Sequence, residues 1–170
     1  MPSNVEGLSI KIKTKELTKL TNLIEELDNR VKLSDVSFRT SLSKEFGKIV
    51  SEDVRDRFAA SPSTTAGGRV PPGIQWRALS DSYLRNRPDR IQGRVLIDSS
   101  TLMNSFQTDS PMFVNRFNNQ YSWEVGTTVG YSTKLQETWP FLVMHEALVK
   151  DLATAYLKWL VNKFEDQFSQ

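Results

Sequence analysis

A long amphipathic pattern between Phe38 and Phe58 constrains the fold of this 170-residue chain more than any other feature. Its apolar residues recur at three- and four-residue steps, the spacing that places side chains on one face of an α-helix. The set is Phe38, Leu42, Phe46, Ile49, Val50, Val54 and Phe58. We therefore predict a helix over about 35–60 that buries this face and leaves its charged face in solvent. Gly47 interrupts the pattern at a cost of about 1 kcal/mol relative to alanine, and we interpret it as a position of close packing with another element.

Two further helices are predicted from the same periodicity. A helix over about 15–32 has the apolar stripe Leu17, Leu20, Ile24, Leu27 and Val31. A helix over about 143–167 has the stripe Leu148, Leu152, Ala155, Tyr156, Trp159, Leu160 and Phe164. Each stripe is wide enough to require a packing partner, so these helices are expected to cover a common core.

Strands are predicted at two places. In the segment LSIKIK, Ile10 and Ile12 alternate with lysines, which is typical of a half-buried edge strand. Two aromatic-rich runs near 112–128 are separated by an Asn pair and predict a hairpin. The fold class expected is α+β, with a small antiparallel sheet of the N-terminal strand and this hairpin packed against the long helices. Because an edge strand can pair with another chain, Ile10 and Ile12 are candidate subunit or partner contacts.

Length and composition indicate one domain over 1–170, with 38% hydrophobic and 25% charged residues. Residues 61–75 are rich in Gly, Pro, Ser and Thr, and they predict a flexible loop of unusual length. Two interpretations of this loop stay open, a solvent loop or an arm that becomes ordered against a neighbouring subunit. Its one charged residue, Arg69, is a candidate interface residue on the second interpretation.

The stretch from Gln75 to Phe106 combines polar residues with many apolar anchors. Ser80 is expected to begin a short helix that Pro88 ends, and Asp98 to Ser100 are expected to cap a second one. Trp76 at its start is either a core residue or an anchor for a protein partner, and we include it among the candidate interface residues. The stretch also contains a cluster of four arginines, Arg85, Arg87, Arg90 and Arg94. They are interpreted either as a surface of mixed salt bridges or as a patch that faces DNA in a channel.

Residue patterns for catalysis, cofactors and metal binding are scarce, and none is assigned. The chain has no cysteine, no P-loop and no GxGxxG or GxSxG motif. Its single histidine, His145, precedes Glu146 but lacks the second histidine of a HExxH zinc site, so a helix-capping or surface role is expected. A net charge of +2 gives no general reason to expect nucleic-acid binding. Apolar runs are too short for a membrane span, and MPSNVEGLSI lacks the pattern of a secretion signal.

The second half of the chain resembles the virion morphogenesis, or tail-completion, proteins of tailed phages, which include tail-terminator-like neck proteins. The residues that carry this resemblance are Trp76, Leu79-Ser80, Tyr83, Arg87, Leu96-Ile97-Asp98-Ser99, Leu102 and Ser105-Phe106. It continues with Val125-Gly126-Thr127, Tyr131, Leu135-Gln136 and Pro140-Phe141-Leu142. In this chain Ser100 stands where the family usually has Gly, and Thr138 stands where a Gly commonly follows the Gln.

The resemblance implies a non-enzymatic virion component that completes or terminates the tail and lets it join the filled head. Proteins of this family form homo-oligomeric rings, commonly six-fold, that contact tail-tube and neck or connector proteins and let packaged DNA pass. The expected location is the tail or neck of the virion after assembly in the host cytoplasm, with no membrane partner. The alternatives are a head-side neck protein (a stopper or adaptor) and a nucleic-acid-associated phage accessory protein.

Overall fold

The structure, a computed structural model, describes residues 8–11, 36–119 and 122–168, with side chains described within 39–119 and 122–162. The predicted helix over 15–32 and Ile12 lie outside the described residues. In chain order the first elements are strand β1 (Leu8–Lys11), helix α1 (Val36–Ala59) and strands β2 (Gly68–Val70) and β3 (Ile74–Trp76). They are followed by the short helices α2 (Asp81–Asn86) and α3 (Thr101–Asn104), with a 3-10 turn at Pro88–Arg90 between them. The last elements are strands β4 (Phe113–Asn119) and β5 (Ser122–Thr127) and helices α4 (Ser132–Thr138) and α5 (Glu146–Phe168).

The fold class is α+β, as predicted. Strands β1, β5 and β4 form a small sheet in the order β1-β5-β4, and strands β2 and β3 form an antiparallel two-stranded sheet. The predicted hairpin near 112–128 corresponds to β4 and β5, and the helices predicted over 35–60 and 143–167 correspond to α1 and α5. Ile10 lies in β1, at one edge of the three-stranded sheet.

The chain divides into two compact units. Among the described residues, unit 1 contains 8–9, 51–114 and 126–143, and unit 2 contains 10–11, 36–50, 115–119, 122–125 and 144–168. The division falls inside α1, β4 and β5, which therefore contribute residues to both units. The expectation of one domain over 1–170 stays a prediction.

In unit 2 the first half of α1 packs against strands β4 and β5. The ring of Phe46 lies 5.1 Å from Trp123 and 6.4 Å from Phe117. A Cβ at Gly47 would come within 2.0 Å of the Asn115 side chain. Only glycine leaves room for β4 at this point of the helix, which confirms the interpretation of Gly47 as a close-packing position.

In unit 1 the core is built from four aromatic rings that come from distant parts of the chain. The ring of Phe58 lies 5.9 Å from Trp76 and 5.8 Å from Phe141, and Phe141 lies 5.8 Å from Phe106. All four side chains are fully buried. Edge-to-face and tilted contacts of this kind stabilise a core beyond the burial of apolar area alone.

Residues 61–75 contain regular structure where the sequence predicts a loop. Strands β2 and β3 form a hairpin in which Arg69 is paired with Gln75 and Val70 with Ile74. The turn at Pro71-Pro72 has a cis peptide bond, and the Gly73 amide donates to the Val70 carbonyl at 2.7 Å. Turn-forming residues here produce a tight turn between short strands, so the prediction of an extended loop is corrected, whereas flexibility of the segment stays a prediction.

Candidate functional site

The β2–β3 hairpin (Gly68–Trp76) is anchored to the core of unit 1 through Trp76. The Trp76 side chain is fully buried, and its indole N–H donates to the Pro140 carbonyl at 3.0 Å. A large aromatic side chain with its polar atom satisfied inside the protein has no surface left for a partner. The assignment of Trp76 as an interface residue is therefore corrected to a core residue.

A second anchor of the hairpin is Arg57 on α1, which is fully buried. Its guanidinium donates to the carbonyls of Pro71 at 2.8 Å and Phe141 at 2.9 Å. The same group pairs with Asp53, one helical turn earlier, at 2.6 Å. Because a buried charge is tolerated only when it is paired and hydrogen-bonded, Arg57 joins the hairpin turn, the Phe141 segment and α1 at one point.

The segment that receives the Trp76 hydrogen bond is itself fixed by Gln136 of α4. The side-chain oxygen of Gln136 accepts from the amides of Phe141 and Leu142, each at 3.0 Å, and its NH2 group donates to the Leu142 carbonyl at 2.8 Å. One amide side chain thus satisfies three backbone groups of a segment that has no regular structure. The indole N–H of Trp139 adds a bond to the Arg77 carbonyl at 2.8 Å.

Residues 61–67 are held against residues 90–95 by hydrogen bonds and a β-bridge. Thr64 is fully buried, and its hydroxyl donates to the Arg90 carbonyl at 2.6 Å. The Thr64 amide donates to the Gly93 carbonyl at 3.1 Å, and Ser63 forms an antiparallel β-bridge with Arg94. Consequently Arg94 lies beside the segment that leads into the β2–β3 hairpin.

Two of the four clustered arginines are neutralised by carboxylates. Arg87 forms a bidentate pair with Asp89, with N–O distances of 3.0 and 2.7 Å, and a further contact with Asp98 at 3.3 Å. The hydrogen bond from Arg87 holds the pKa of the Asp89 carboxyl below its usual value, and the same pairing raises the pKa of Arg87. This geometry matches the interpretation of the cluster as a surface of mixed salt bridges at Arg87.

Arg90, the second of the two arginines that contact carboxylates, is a structural residue. Only 7% of its surface is exposed, and its guanidinium donates to the carbonyls of Ile97 and Arg94 and contacts Asp98 at 3.3 Å. A side chain buried against residues 94–98 in this way cannot face a channel. The assignment of Arg90 as a DNA-facing residue is corrected for this reason.

The remaining two clustered arginines, Arg85 and Arg94, are exposed. Within 39–119 and 122–162 no carboxylate pairs with either of them, nor with Arg69 or Arg77. Arg69 lies on the outer face of the β2–β3 hairpin, as its pairing with Gln75 requires, because the neighbouring positions Val70 and Trp76 point into the core. Arg77 is exposed one residue beyond β3. Arg77 was not among the predicted site residues, although the absence of carboxylates between residues 57 and 80 is a signal for it in the sequence.

The two short helices predicted in the stretch 75–106 are confirmed as α2 and α3, but the predicted capping of the second one is wrong, because Ser100 makes no side-chain capping hydrogen bond. The Ser80 hydroxyl accepts from the Tyr83 amide at the start of α2. Ser100 precedes α3 with φ 59° and ψ 3°, the left-handed conformation that favours glycine. Leu102 in α3 and Phe106 just beyond its end are buried.

A buried chain of hydroxyl groups connects the end of α3 with the end of β5. The Thr127 hydroxyl donates to the Ser105 hydroxyl at 2.8 Å, and Ser105 donates to the Leu102 carbonyl at 2.7 Å. The Val129 amide donates to the Thr127 oxygen at 3.2 Å. Each buried polar atom of this chain has a partner, so the two segments are held in one arrangement.

His145 lies just before helix α5. The His145 ring nitrogen Nδ1 accepts from the Leu148 amide at 3.3 Å at the start of α5, which confirms the capping role. In the described part of the chain no group of three or more His, Cys, Asp or Glu residues is placed to hold a metal ion. Within the same ranges, none of the helices has the length and apolar character needed to cross a membrane.

Comparison with known proteins identifies no relative. None of the known family models matches the chain, and no curated protein or solved structure is significantly similar to it.

Proposed function

We propose that the protein is a non-enzymatic structural component of a tailed-phage virion, which forms a homo-oligomeric ring at the head–tail junction. In this role it completes or terminates the tail, contacts the tail-tube and neck or connector proteins, and is required for joining of the tail to the filled head. The six-fold ring symmetry, the virion location and the identity of the flanking proteins are part of the same proposal, since they come from the family that the sequence resembles.

The support for this proposal is that residues of the separate resemblance motifs contact one another. Trp76 of the first motif donates to Pro140 of the last one, and Phe106 packs on Phe141 at 5.8 Å. Ser105 and Thr127 are joined by a buried hydrogen bond at 2.8 Å. The matched residues that make these contacts thus lie together in one compact unit, as a single structural pattern requires. Their convergence supports the interpretation of the matched residues as one structural pattern.

The single observation that carries the proposal is the backbone conformation of Ser100. The family usually has glycine at this position, and Ser100 has φ 59°. Left-handed backbone is costly for residues other than glycine, by about 1–2 kcal/mol. The position where the family usually has glycine is therefore the position where this chain has a left-handed residue. This agreement supports the alignment of the chain with the family pattern.

In this proposal the protein acts mechanically through its surfaces. Strand β1 lies at one edge of the three-stranded sheet, and an exposed edge can pair with a strand of a neighbouring subunit. Repeating one such contact around an axis closes a ring that has no open edge. The β2–β3 hairpin, with its exposed turn at Pro71, Pro72 and Gly73, is a second surface for a neighbouring protein.

The test is to detect this polypeptide in purified virions by mass spectrometry and to locate it by electron microscopy with an antibody label. We expect label at the head–tail junction. Light scattering of the purified protein should give a mass that is a small multiple of the subunit, six-fold for the family's common ring. Label on the head side of the junction would favour a head-side neck protein, and absence of the polypeptide from virions would refute the proposal.

The β1 edge contact has its own test in the same assay. Ile10→Pro removes a backbone N–H from β1 and should reduce the ring to monomers if this edge pairs between subunits. Ile10→Val keeps the backbone and is the matched control. Rings that persist in Ile10→Pro would show that subunits associate through another surface.

A further inference from the structure

Although the net charge of the whole chain is only +2, two stretches of unit 1 contain basic residues and no acidic ones. From residue 57 to residue 80 the sequence contains arginines but no Asp or Glu, and the same holds from residue 90 to residue 97. The structure brings these two stretches together, since Thr64 bonds to Gly93 and Ser63 forms a bridge with Arg94. The surface that they share is therefore free of acidic side chains from its own two segments.

We name this surface the arginine strip and define it by Ser63, Thr65, Arg69, Gln75, Arg77 and Arg94. All six residues are exposed. The three arginines make no ion pair within the described part of the chain. This contrasts with Arg87 and Arg90 on the same unit, which are held by Asp89 and Asp98.

The backbone beneath the arginine strip is well supported. Arg69 and Gln75 are cross-strand partners on the outer face of the β2–β3 hairpin. The Arg77 carbonyl accepts from the Trp139 indole, and Arg94 belongs to two β-bridges. Ser63 and Thr65 are hydrogen-bonded to each other at 2.9 Å. The three arginines thus project from fixed backbone positions, although their guanidinium groups are free to adapt.

We propose that the arginine strip binds the phosphate backbone of a nucleic acid. Guanidinium groups recognise phosphate by paired hydrogen bonds, and hydroxyl and amide side chains such as those of Ser63, Thr65 and Gln75 are the usual additional donors to phosphate oxygens. Contacts to phosphate oxygens carry no direct sequence information, so binding is expected without sequence preference. That packaged DNA is the natural ligand rests on the proposed function, whereas the binding itself does not.

The experiment measures fluorescence anisotropy of a labelled 20-base-pair DNA duplex with the full-length protein at several salt concentrations. Three phosphate contacts predict a slope of about −2.7 in the logarithm of the binding constant against the logarithm of salt concentration. Between 50 and 200 mM salt the affinity should accordingly fall about 40-fold. The triple variant Arg69→Gln, Arg77→Gln, Arg94→Gln should lose binding at 50 mM salt, and the corresponding triple Lys variant should retain it.

The matched control removes the same charge elsewhere. Arg55→Gln, Lys134→Gln, Lys150→Gln changes three exposed cations on α1, α4 and α5, and it should bind as the unchanged protein does. Equal loss in both triple variants would show a non-local effect of net charge and overturn the proposal. Polyglutamate that competes as well as DNA would point to an acidic protein partner instead, and absence of DNA binding by the unchanged protein at 50 mM salt would also overturn it.

This assay and the virion experiment fail independently. Loss of DNA binding only in the Arg69, Arg77 and Arg94 variant supports the arginine strip even if the protein is absent from virions. A labelled ring at the head–tail junction supports the proposed function even if the strip binds no DNA.

Discussion

The β4–β5 hairpin has strands of seven and six residues, whereas the β2–β3 hairpin has strands of only three residues each. The longer hairpin carries the cross-strand ion pair Arg116–Glu124 and contributes Trp123 and Val125 to a core. In the shorter hairpin, the central cross-strand pair is Arg69 and Gln75, and both are exposed. Isolated hairpins of this size are marginal in water, so the shorter one depends on bonds to other segments.

Those bonds come from both ends of the β2–β3 hairpin. Arg57 donates to Pro71 in the turn, and Trp76 at the end of β3 donates to Pro140. The β4–β5 hairpin is instead fixed from the middle of β4, where Asn115 accepts from the Trp123 indole of β5 at 2.8 Å and donates to the Ser43 carbonyl of α1 at 2.7 Å. The difference shows that a very short hairpin can be held in place by single buried polar groups at its ends.

The largest effect is expected at Arg57. Arg57→Met removes the ion pair with Asp53 and the hydrogen bonds to the carbonyls of Pro71 and Phe141, and we expect a loss of about 3–5 kcal/mol in the free energy of unfolding. Urea denaturation followed by tryptophan fluorescence measures it. Arg55→Met, on the exposed face of the same helix, should change the free energy by less than about 0.5 kcal/mol. Equal effects of the two variants would mean that the β2–β3 hairpin does not depend on the Arg57 bonds.

The next effect compares two glycines around the β2–β3 hairpin. Gly67 and Gly73 have φ values of 65° and 108°, so alanine at either position should cost about 1–3 kcal/mol in backbone strain. A Cβ at Gly67 would also lie 2.6 Å from the backbone of Trp76 and Ala78, while nothing lies within 4 Å of one at Gly73. Gly67→Ala should therefore lose about 1–3 kcal/mol more than Gly73→Ala in thermal or urea unfolding. Equal losses would contradict the close approach of the two strands at Gly67.

In the β4–β5 hairpin, the effect of one substitution on stability should change sign when a second residue is replaced. Gly47→Ala should destabilise the protein by about 1–3 kcal/mol, because the new Cβ collides with Asn115. In an Asn115→Ala background the collision is absent, and Gly47→Ala should become neutral or stabilising by up to about 1 kcal/mol, since alanine favours the helix. A double-mutant cycle by urea denaturation gives the coupling. A cycle without coupling would show that α1 and β4 do not meet at this position.

The smallest effect is expected for the exposed ion pair of the β4–β5 hairpin. Arg116 and Glu124 approach to 3.2 Å, but the Arg116 side chain is 68% exposed. Arg116→Gln should therefore cost less than about 1 kcal/mol at low salt, and the difference should disappear at 1 M salt because the charges are screened. Lys48→Gln, an exposed residue of α1, serves as the control for loss of one positive charge. A salt-independent loss of several kcal/mol would mean that this ion pair is as important as the bonds of Arg57.

The helices and the β4–β5 hairpin could be predicted from sequence because their signals are periodic. The apolar stripes of α1 and α5 each repeat over many residues, and burial of their described residues follows the repeat. In β5, by contrast, Glu124 is buried as well as Trp123 and Val125. The strands of the β2–β3 hairpin are too short for a repeat to be detected. Their turn consists of residues that are also typical of unstructured loops.

Burial of single polar or aromatic side chains was the part of the candidate site that the sequence could not supply. Arg57 and Arg90 follow other charged residues closely, and only the carbonyls around them in the structure explain why they are buried. Trp76 could be either a core residue or a partner anchor from the sequence, because its hydrogen-bond partner Pro140 is 64 residues away. Such contacts between distant segments have no local sequence signal, whereas the absence of acidic residues along the arginine strip is visible in the sequence itself.

The left-handed conformation of Ser100 means that the protein is less stable than its fold allows. Its side chain makes no capping hydrogen bond, so Ser100→Gly removes backbone strain and loses no capping bond. The free energy of unfolding should increase by about 0.5–1 kcal/mol, and the melting temperature should rise accordingly. Ser99→Gly, at a neighbouring position without positive φ, should lower it. If Ser100→Gly also lowers the melting temperature, the serine side chain stabilises the protein by more than its left-handed backbone destabilises it. A rise would give a more heat-resistant form of the protein by one substitution, one suited to electron microscopy of its assemblies.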